Sequence, residues 1–596
     1  MEDPIRRFEA EALAMLNRAL KSLEYNLVDR LEPAPPGKGD FAFPCFRSAT
    51  EHKRKPHELA TQLEYVMEQN PLVERVVAMG PYLNFFVAPV PMADEVLKAI
   101  LTEKEAFGAS PPVGKKVIIE HTSANPTGPF HVGRARNPII GDSLARVMRK
   151  AGYEVETQYW VNDMGKQAII MAYGLEHCPG GEPERKKEDH VATVHYRQAN
   201  ELVEKDPKVA AEIEEWIRRV ERGDKGTVDK VKAASKKVLA GMKESLDRLN
   251  VKMDNFVWES MSVEDGSAAR VVEQLKRSEL AKEEDGAYYL DLEGLVHGRT
   301  QKFFFTRKDG TTLYATRDVA FHLWKLARCD LAINILGEDH KLEAQQLAAA
   351  LKAVGSKKLP EVMFYAFVSL PSTCPACGQP IGDKDEKCPK CGVDVGEASR
   401  KKTKMSTRKG KAVYIDDLID ETVDRALVVV TEKRQDLPDA DKARIAELVG
   451  IGALRYNIIR IQAEKSIVFK WEDALNFEGK SAPFIQYSHA RACSIIREVG
   501  GYKEWKASDL KDDGEFALVK VLARFPELVR KCAEQRLAYS IAEYAHEVAT
   551  EFNRFYRDFR VLGSESQDTR LAVVDATRWV LRNSLDLLGI KAPESM

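Results

Sequence analysis

The stretch of sequence that decides the fold runs from residue 116 to residue 134. It begins with Lys116-Val117-Ile118-Ile119-Glu120, a short apolar run typical of a buried strand. Residues 121–130 (His-Thr-Ser-Ala-Asn-Pro-Thr-Gly-Pro-Phe) follow as a loop, and His131-Val132-Gly133-Arg134 then leads into a helical pattern. A strand that ends in such a loop and opens a helix brings backbone N–H groups to the carboxyl edge of a parallel sheet, where nucleotides bind. The stretch therefore predicts a nucleotide site in a doubly wound α/β domain.

The alternation of short strands and helices continues to about residue 436. Two insertions interrupt it, one long, charged and helical at about 180–260, and one cysteine-rich at 372–395. We expect a Rossmann-type parallel-sheet catalytic domain at 111–436. Its predicted strands are 117–119, 155–159, 331–336 and 362–368.

The two flanking parts of the chain have patterns of their own. Residues 1–110 open with Asp3-Pro4, an N-cap followed by Pro at the first helical position, and end in a strand, which predicts an N-terminal α+β domain. Residues 437–596 are strongly helical and predict an all-α bundle. The predicted helices of the bundle are 440–462, 484–499, 515–533 and 571–588.

Composition limits the functions open to the 596-residue chain. Lys and Arg number 90 against 92 Asp and Glu, which excludes a protein that binds nucleic acid through bulk positive charge. An apolar content of 44% and ordinary Gly and Pro numbers exclude disordered and collagen-like classes. The sequence has no export signal and no apolar run near the roughly 20 residues of a membrane helix. We therefore expect a cytoplasmic protein, acting as a monomer and without a membrane partner.

Four of the nine cysteines form a C-x2-C-x10-C-x2-C array in the second insertion. Two such pairs, brought together by a hairpin, supply the four thiolates of a tetrahedral Zn2+ site. We expect this zinc to be structural, because four thiolates fill the coordination sphere. Two disulfides are the alternative, which the absence of an export signal disfavours. The predicted ligands are Cys374, Cys377, Cys388 and Cys391.

A basic segment at residues 400–411 follows the last predicted strand. Seven of its twelve residues are Lys or Arg and none is acidic. Such a run can be a solvated surface or a general RNA patch, but Met405-Ser406 within it and its place after the sheet favour a specific role. Taken together, His131-Val132-Gly133-Arg134 and Lys404-Met405-Ser406-Thr407-Arg408 resemble the two signature motifs of class I aminoacyl-tRNA synthetases.

Sequence outside the two motifs narrows the resemblance to the arginyl-tRNA synthetase family. It covers nearly the whole chain, including that family's N-terminal tRNA-contacting domain and its helical anticodon-binding domain. The segments that carry it are 80–85, 120–126, 141–142, 161–165, 314–318, 484–491 and 575–578.

The resemblance implies a two-step reaction. The carboxylate of L-arginine attacks the α-phosphate of ATP and releases pyrophosphate, with which Mg2+ is expected. The arginyl group then passes to the 2′-hydroxyl of the terminal adenosine of tRNA(Arg). Members of the family generally activate arginine only when tRNA is present. The first step needs no general base, because the attacking carboxylate is ionised at pH 7.

The resemblance also implies roles for individual residues. Asp318 pairs with the guanidinium of arginine through two parallel hydrogen bonds, and Tyr314, four residues earlier in a predicted helix at about 312–328, orients it. The alternative for Asp318 is an ion pair with Arg317 or Lys325. The other predicted site residues are Glu120 and Asn125 for the amino and carboxylate ends of arginine, with Gln345; His131, Arg134, Lys404, Arg408 and Lys409 for catalysis; Gly133, Gly337, Asp339, His340, Met405 and Ser406 for ATP; and Gln486 and Tyr487 for tRNA, with burial in the bundle as their alternative.

Two positions depart from the family's signature motifs. Arg134 stands where the first motif usually ends in His, and Thr407 stands where the second has its catalytic Lys. Lys404, Arg408 and Lys409 must then supply the triphosphate contacts. Two other functions stay open at this point, a class I synthetase for another amino acid such as lysine, and a zinc-containing RNA-binding protein without catalysis.

Overall fold

The computed structural model describes most of the chain. The described residues are 3–35, 37–297, 300–369, 374, 376–377, 381, 386–394, 407–408 and 411–596, with 407–408 and 411–412 described by their backbone alone.

The N-terminal part is an α+β unit, as the sequence predicts. Its elements are α1 (Pro4–Ser22), β1 (Glu32–Pro33), β2 (Phe41–Pro44), α2 (Phe46–Glu51), α3 (Pro56–Val66), β3 (Val73–Met79), β4 (Tyr82–Val87) and α4 (Pro89–Glu103). The strands form an antiparallel sheet in the order β1-β2-β4-β3. The first helix begins as predicted, because the Asp3 side chain accepts a hydrogen bond from the Ile5 N–H at 3.2 Å and Pro4 follows the cap.

The middle of the chain forms the predicted Rossmann-type parallel sheet. Its elements are β5 (Lys116–Glu120), α5 (Arg136–Lys150), β6 (Glu154–Val161), α6 (Lys166–His177), α7 (Glu188–Lys205), α8 (Pro207–Glu221), α9 (Lys225–Arg248), β7 (Asn255–Trp258), α10 (Met261–Glu264), α11 (Ser267–Lys276), β8 (Ala281–Glu284), β9 (Ala287–Asp291), β10 (Lys302–Phe304), α12 (Tyr314–Leu326), β11 (Leu331–Gly337), α13 (Lys341–Ala353), β12 (Glu361–Tyr365) and β13 (Val368–Ser369). Five strands lie parallel in the order β12-β11-β5-β6-β7. The side chains of Val117, Ile118 and Ile119 in β5 are fully buried, and β5 is the central strand of the sheet.

Three details of this domain differ from the prediction. Residues 255–258, expected within the helical insertion, form β7 at the edge of the parallel sheet. The antiparallel sheet β10-β9-β8 was not expected, because strands such as β8 (Ala-Lys-Glu-Glu) are short, charged and without apolar alternation. The strand expected at 362–368 ends at Tyr365.

The C-terminal part is the expected helical bundle. Its elements, with the hairpin that precedes them, are β14 (Thr407–Arg408), β15 (Lys411–Ala412), α14 (Ile415–Lys433), α15 (Asp439–Ile459), β16 (Ile467–Val468), α16 (Trp471–Ala474), α17 (Ala482–Val499), α18 (Asp513–Ala523), α19 (Phe525–Gln535), α20 (Ala538–Asp558) and α21 (Gln567–Leu587). The single helix expected at 515–533 is two helices, because Pro526 has no N–H to continue the α18 ladder and instead occupies the first turn of α19. In the described part of the chain, no helix is long and apolar enough to cross a membrane.

Two buried arginines join the bundle to the parallel sheet. Arg455 of α15 places Nη2 2.6 Å from Asp142 Oδ2 of α5, and its Nε donates to the Leu588 carbonyl at 2.8 Å. Arg136, at the start of α5, donates to four backbone carbonyls of the segments that follow β12 and α15. The helix that follows the first signature segment is therefore fastened directly to the bundle.

Candidate functional site

Residues that are far apart in sequence meet at the carboxyl edge of the sheet. Strands β5 and β11 are parallel neighbours, and Asn334 lies opposite Glu120 in their register. The loop 121–131 and the short 3-10 helix Glu338–His340 therefore leave the sheet at the same edge. This is the edge at which open parallel sheets bind their ligands.

Residues 413–415, which follow the basic segment, are joined to the first signature segment by backbone hydrogen bonds. The Val132 N–H donates to the Val413 carbonyl at 3.0 Å, and the Ile415 N–H donates to the Phe130 carbonyl at 2.8 Å. His131 and Tyr414 pair between them as an antiparallel bridge. The chain that leaves the basic segment is thus attached to the first motif. Arg408 lies in the backbone of β14, whereas Lys404, Met405, Ser406 and Lys409 lie outside the described residues.

His131 is arranged as a neutral donor. Its Nδ1 accepts a hydrogen bond from the Gly133 N–H at 3.1 Å, so the proton of the neutral ring is on Nε2. Burial, and then the charge of Arg134, lower the pKa of His131. The buried Nε2 has no hydrogen-bond partner among the described residues, which leaves it available to a ligand oxygen. Arg134 is exposed beside it.

The loop after β5 has a strained backbone. Thr122 and Ser123 have φ values of 74° and 29°, which non-glycine residues rarely adopt. The Asn137 side chain accepts from the Thr122 N–H at 2.8 Å, and the Tyr159 hydroxyl donates to the Ala124 carbonyl at 2.7 Å. The loop is therefore held in place by two neighbouring elements.

The loop presents Asn125 at its exposed end. The Asn125 side chain donates to Gln167 Oε1 at 2.9 Å. To contact arginine through this amide group, Asn125 would have to share the hydrogen bond with Gln167 or break it. Its role stays a prediction.

Tyr314 and Asp318 lie one helical turn apart at the start of α12. The Tyr314 side chain is 64% exposed and that of Asp318 is 41% exposed. Both are accessible to a ligand, as an arginine-binding pair requires. Asp318 Oδ1 lies 3.0 Å from His322 Nδ1, a contact the sequence did not predict.

The cations beside Asp318 in sequence have other partners. Arg317 Nε lies 2.5 Å from the Glu259 carboxylate, and Lys325 Nζ lies 2.7 Å from Glu120 Oε2. Neither forms the ion pair with Asp318 that the sequence left open as an alternative. The Asp318 carboxylate is therefore not paired with either of these cations and is open to a ligand.

Glu120 is more constrained than predicted. Besides the Lys325 contact, its other oxygen accepts from the Ser123 hydroxyl at 3.1 Å, and the residue is buried. Each carboxylate oxygen can accept a second hydrogen bond, so a role in binding arginine is retained as a prediction.

The predicted ATP residues after β11 lie together. Gly337 ends the strand, and a Cβ there would lie 2.4 Å from Asp339 Oδ1, so a larger residue would require the Asp339 side chain to move. Asp339 and His340 are partly exposed, with His340 Nε2 3.8 Å from Asp339 Oδ1. Gln345 lies on α13 and its Oε1 accepts from the His297 N–H at 3.0 Å, while its role in binding arginine stays a prediction.

The two predicted tRNA residues of α17 differ in exposure. Gln486 is fully buried and its amide donates to the carbonyls of Leu448 and Lys591, so it stabilises the bundle and is not accessible to RNA. Tyr487 is 41% exposed and lines a cavity of about 600 Å3 with Arg491 stacked 4.8 Å from its ring. The prediction for Gln486 is corrected accordingly, and that for Tyr487 is retained.

The four predicted zinc ligands lie together. All four sulfur atoms lie within 4.8 Å of one another, with Cys374 and Cys391 3.5 Å apart and Cys377 and Cys388 3.6 Å apart. Tetrahedral Zn2+ with bonds of 2.3 Å separates its ligands by about 3.8 Å. Burial would raise the pKa of Cys388, but the N–H groups of Cys391 and Lys390 lower it to about 6. The donor set and its spacing thus fit zinc.

One cluster near the site was missed by the sequence reasoning. We call it the Asp416 junction, and its members are Asp416, Lys187, His190 and Ser245. The buried Asp416 carboxylate contacts Lys187 Nζ at 2.6 Å, His190 Nε2 at 3.2 Å and the Ser245 hydroxyl at 2.7 Å. It ties the first turn of α14 to the helical insertion. No local signal could reveal it, because its partners lie about 170 to 230 residues away in sequence.

Comparison with known proteins gives matches over the whole chain. Family models match at residues 10–87 (arginyl tRNA synthetase N terminal domain), 96–367 and 389–471 (tRNA synthetases class I (R), catalytic domain) and 485–596 (DALR anticodon binding domain). The arginine-tRNA ligase of Methanocella arvoryzae is 46% identical over 92% of both chains. That of Methanothermobacter thermautotrophicus is 40% identical over 99% of this chain and 100% of its own. The Thermus thermophilus arginyl-tRNA synthetase structure matches 99% of this chain and 100% of its own, with 27% identity and a TM-score of 0.78.

The parallel sheet, the two signature segments of the sequence and the matching catalytic model define a class I aminoacyl-tRNA synthetase. Within that class, the chain belongs to the arginyl-tRNA synthetase family. The enzyme class is therefore a ligase, and the alternative of a non-catalytic RNA-binding protein is disfavoured.

Proposed function

We propose that this chain activates L-arginine with ATP and transfers the arginyl group to the 2′-hydroxyl of the terminal adenosine of tRNA(Arg). The observation that carries the proposal is the accessible Tyr314–Asp318 pair at the ligand-binding edge of the sheet. A carboxylate that is 41% exposed and has no Lys or Arg partner among the described residues suits a guanidinium, which it binds through two parallel hydrogen bonds.

In the first step the protein positions reactants and balances charge. The arginine carboxylate is already a nucleophile, so no side chain needs to remove a proton from it. The neutral His131 offers its Nε2–H to a phosphate oxygen, and Arg134 adds positive charge there. Residues 413–415, directly after the basic segment in sequence, are attached to the first motif. In this proposal Lys404, Arg408 and Lys409 neutralise the triphosphate, while Gly133, Gly337, Asp339, His340, Met405 and Ser406 surround the adenosine.

The cavity beside Tyr487 is proposed to bind an unstacked base of the tRNA anticodon arm. Its walls combine aromatic rings with cations, as single-stranded RNA sites do, because rings stack on bases and cations attract phosphates. The lining residues are Val430, Lys433, Arg434, Ile445, Phe477, Glu478, Phe484, Tyr487, Arg491, Asn553 and Met596.

Two metals belong to the proposal. Cys374, Cys377, Cys388 and Cys391 would hold a structural Zn2+ that closes the hairpin ahead of the basic segment. Mg2+ would accompany ATP through its phosphate oxygens, since the cysteine set is the one metal-binding group of three or more side chains among the described residues.

Aminoacylation kinetics test the proposal. With tRNA(Arg) and ATP present, the wild-type chain should form arginyl-tRNA and give no product with lysine. Asp318→Asn should lower kcat/KM for arginine by roughly 100-fold, because replacing one charged bidentate acceptor removes about 3 kcal/mol. Asp318→Glu keeps the charge but moves it by one methylene group, so its kcat/KM for arginine should lie between those of the wild type and Asp318→Asn. Lysine charging, or equal activity of Asp318→Asn and wild type, would reject the assignment.

A further inference from the structure

A buried chain of side-chain contacts connects Glu120 to Asp318. Lys325 Nζ donates to Glu120 Oε2 and to Asn334 Oδ1, each at 2.7 Å. Asn334 Nδ2 lies 2.7 Å from His322 Nε2, and His322 Nδ1 lies 3.0 Å from Asp318 Oδ1. Lys325, Asn334 and His322 are all buried. Two predicted arginine-binding carboxylates are thus joined by three side chains that no substrate would touch.

Lys325 sets the direction of every bond in this network. An ammonium group only donates, so the oxygen of the Asn334 amide must face it and the NH2 group must face His322. The amide NH2 is a donor, and His322 Nε2 is therefore an acceptor. The ring proton is then on Nδ1, which donates to the Asp318 carbonyl at 2.9 Å and lies 3.0 Å from Asp318 Oδ1.

This direction opposes a positive charge on His322. A proton on Nε2 would face the Asn334 NH2 group, and the Lys325 ammonium lies 3.3 Å away from the same atom. The Asp318 carboxylate therefore contacts a neutral ring, and no Lys or Arg among the described residues forms an ion pair with it. The other charged or titratable groups around the network are Arg317 with its partner Glu259, Glu120 with its partner Lys325, and Tyr314.

We propose that Lys325 and Asn334 are positioning residues that act through His322 to keep Asp318 an uncompensated anion, and so set the preference of the site for a cationic side chain. The proposal rests on the proposed function, in which Asp318 binds the arginine guanidinium. A charged His322 would instead compete with the substrate for the same carboxylate.

Asn334→Asp tests the network by placing a carboxylate between the Lys325 ammonium and His322 Nε2. The new carboxylate accepts a hydrogen bond from a protonated Nε2–H, so it favours the cationic form of His322 beside Asp318. KM for arginine should rise by about tenfold with kcat changed much less, since the competition affects binding. Adding His322→Asn should remove most of that increase relative to the His322→Asn single variant, because an amide cannot be charged. An equal KM increase with and without His322 would overturn the proposal.

The pH profile of Lys325→Met separates electrostatics from packing. Without the ammonium, no positive charge lies beside His322 Nε2 to oppose its protonation as the pH falls. KM for arginine should then rise by about tenfold from pH 8 to pH 6, while the wild-type KM stays level. A variant-to-wild-type ratio of KM that is the same at both pH values would overturn the proposal.

Nitrogen-15 spectra of histidine-labelled wild-type protein provide a test without substitution in the network. His322 should show the neutral Nδ1–H tautomer at pH 7, with its signal assigned by loss in His322→Asn. A charged imidazole in the wild type would overturn the proposal even if Lys325→Met fails to fold. Failure of the proposed function is distinguishable, because the wild-type chain would then not charge tRNA with arginine at any pH.

Discussion

Asp416→Asn is expected to slow arginine activation although Asp416 is not at the substrate edge. Asp416 lies two residues after Tyr414, which pairs with His131 of the first motif. Its carboxylate holds the first turn of α14 against Lys187, His190 and Ser245 of the helical insertion. The substitution keeps the shape of the side chain and removes its charge.

The size of the effect follows from what remains around Lys187. Breaking a buried ion pair by removing one partner destabilises by about 3–5 kcal/mol. The Lys187 ammonium keeps Asp189 Oδ2 at 3.2 Å, and the asparagine oxygen still accepts one bond, so about 3 kcal/mol is the better value. A tenfold rate change corresponds to about 1.4 kcal/mol. If half of this free-energy loss weakens the attachment of residues 413–415 to the first motif, adenylate formation slows about tenfold.

ATP–pyrophosphate exchange with tRNA(Arg) present measures the rate, and hydrogen exchange of residues 413–433 measures the local order. Asp424→Asn is the matched control, since Asp424 is exposed on the same helix. Asp416→Asn should exchange its α14 amides faster and activate arginine about tenfold more slowly than Asp424→Asn. Identical behaviour of the two variants would refute the idea that the insertion positions the second signature segment.

The remaining predictions concern acid, RNA, zinc and the domain junction. Burial would raise the pKa of Asp416, but hydrogen bonds from His190 and Lys187 and the charge of Lys187 hold it well below its usual range. The junction should thus stabilise α14 above about pH 4 and lose this contribution as the pH falls further, a change in α14 hydrogen exchange that Asp416→Asn should not show. Tyr487→Ala should raise KM for tRNA(Arg) at least fivefold and leave KM for arginine unchanged, since stacking on a base contributes about 1–3 kcal/mol. Metal analysis should find one zinc per wild-type chain and less than one in Cys391→Ser. Arg455→Met should lower the thermal midpoint by several degrees in calorimetry, because it leaves Asp142 buried with Arg146 as its remaining cation.

Local patterns of sequence were sufficient for the elements that bear on function. The apolar run 117–119, the cap at Asp3-Pro4 and the paired cysteines each depend on neighbours within a few residues, and each is found where predicted. The strand β7 and the break at Pro526 were missed. The first is a short edge strand that depends on β6 for its pairing, and the second is a single residue within an otherwise periodic helix.

The sequence by itself determined the class of chemistry. The reactants are indicated by the two signature segments and by a carboxylate and a tyrosine at helical spacing. The four cysteines indicate the metal. In each case the residue type dictates which groups can bind. Only the tertiary structure decided how each charge is used. Lys325 lies seven residues from Asp318 yet pairs with Glu120, 205 residues away. Gln486 and Tyr487 are neighbours in sequence, but one is buried and the other lines a cavity. Burial and charge pairing depend on contacts between distant elements, which no local pattern of residues records.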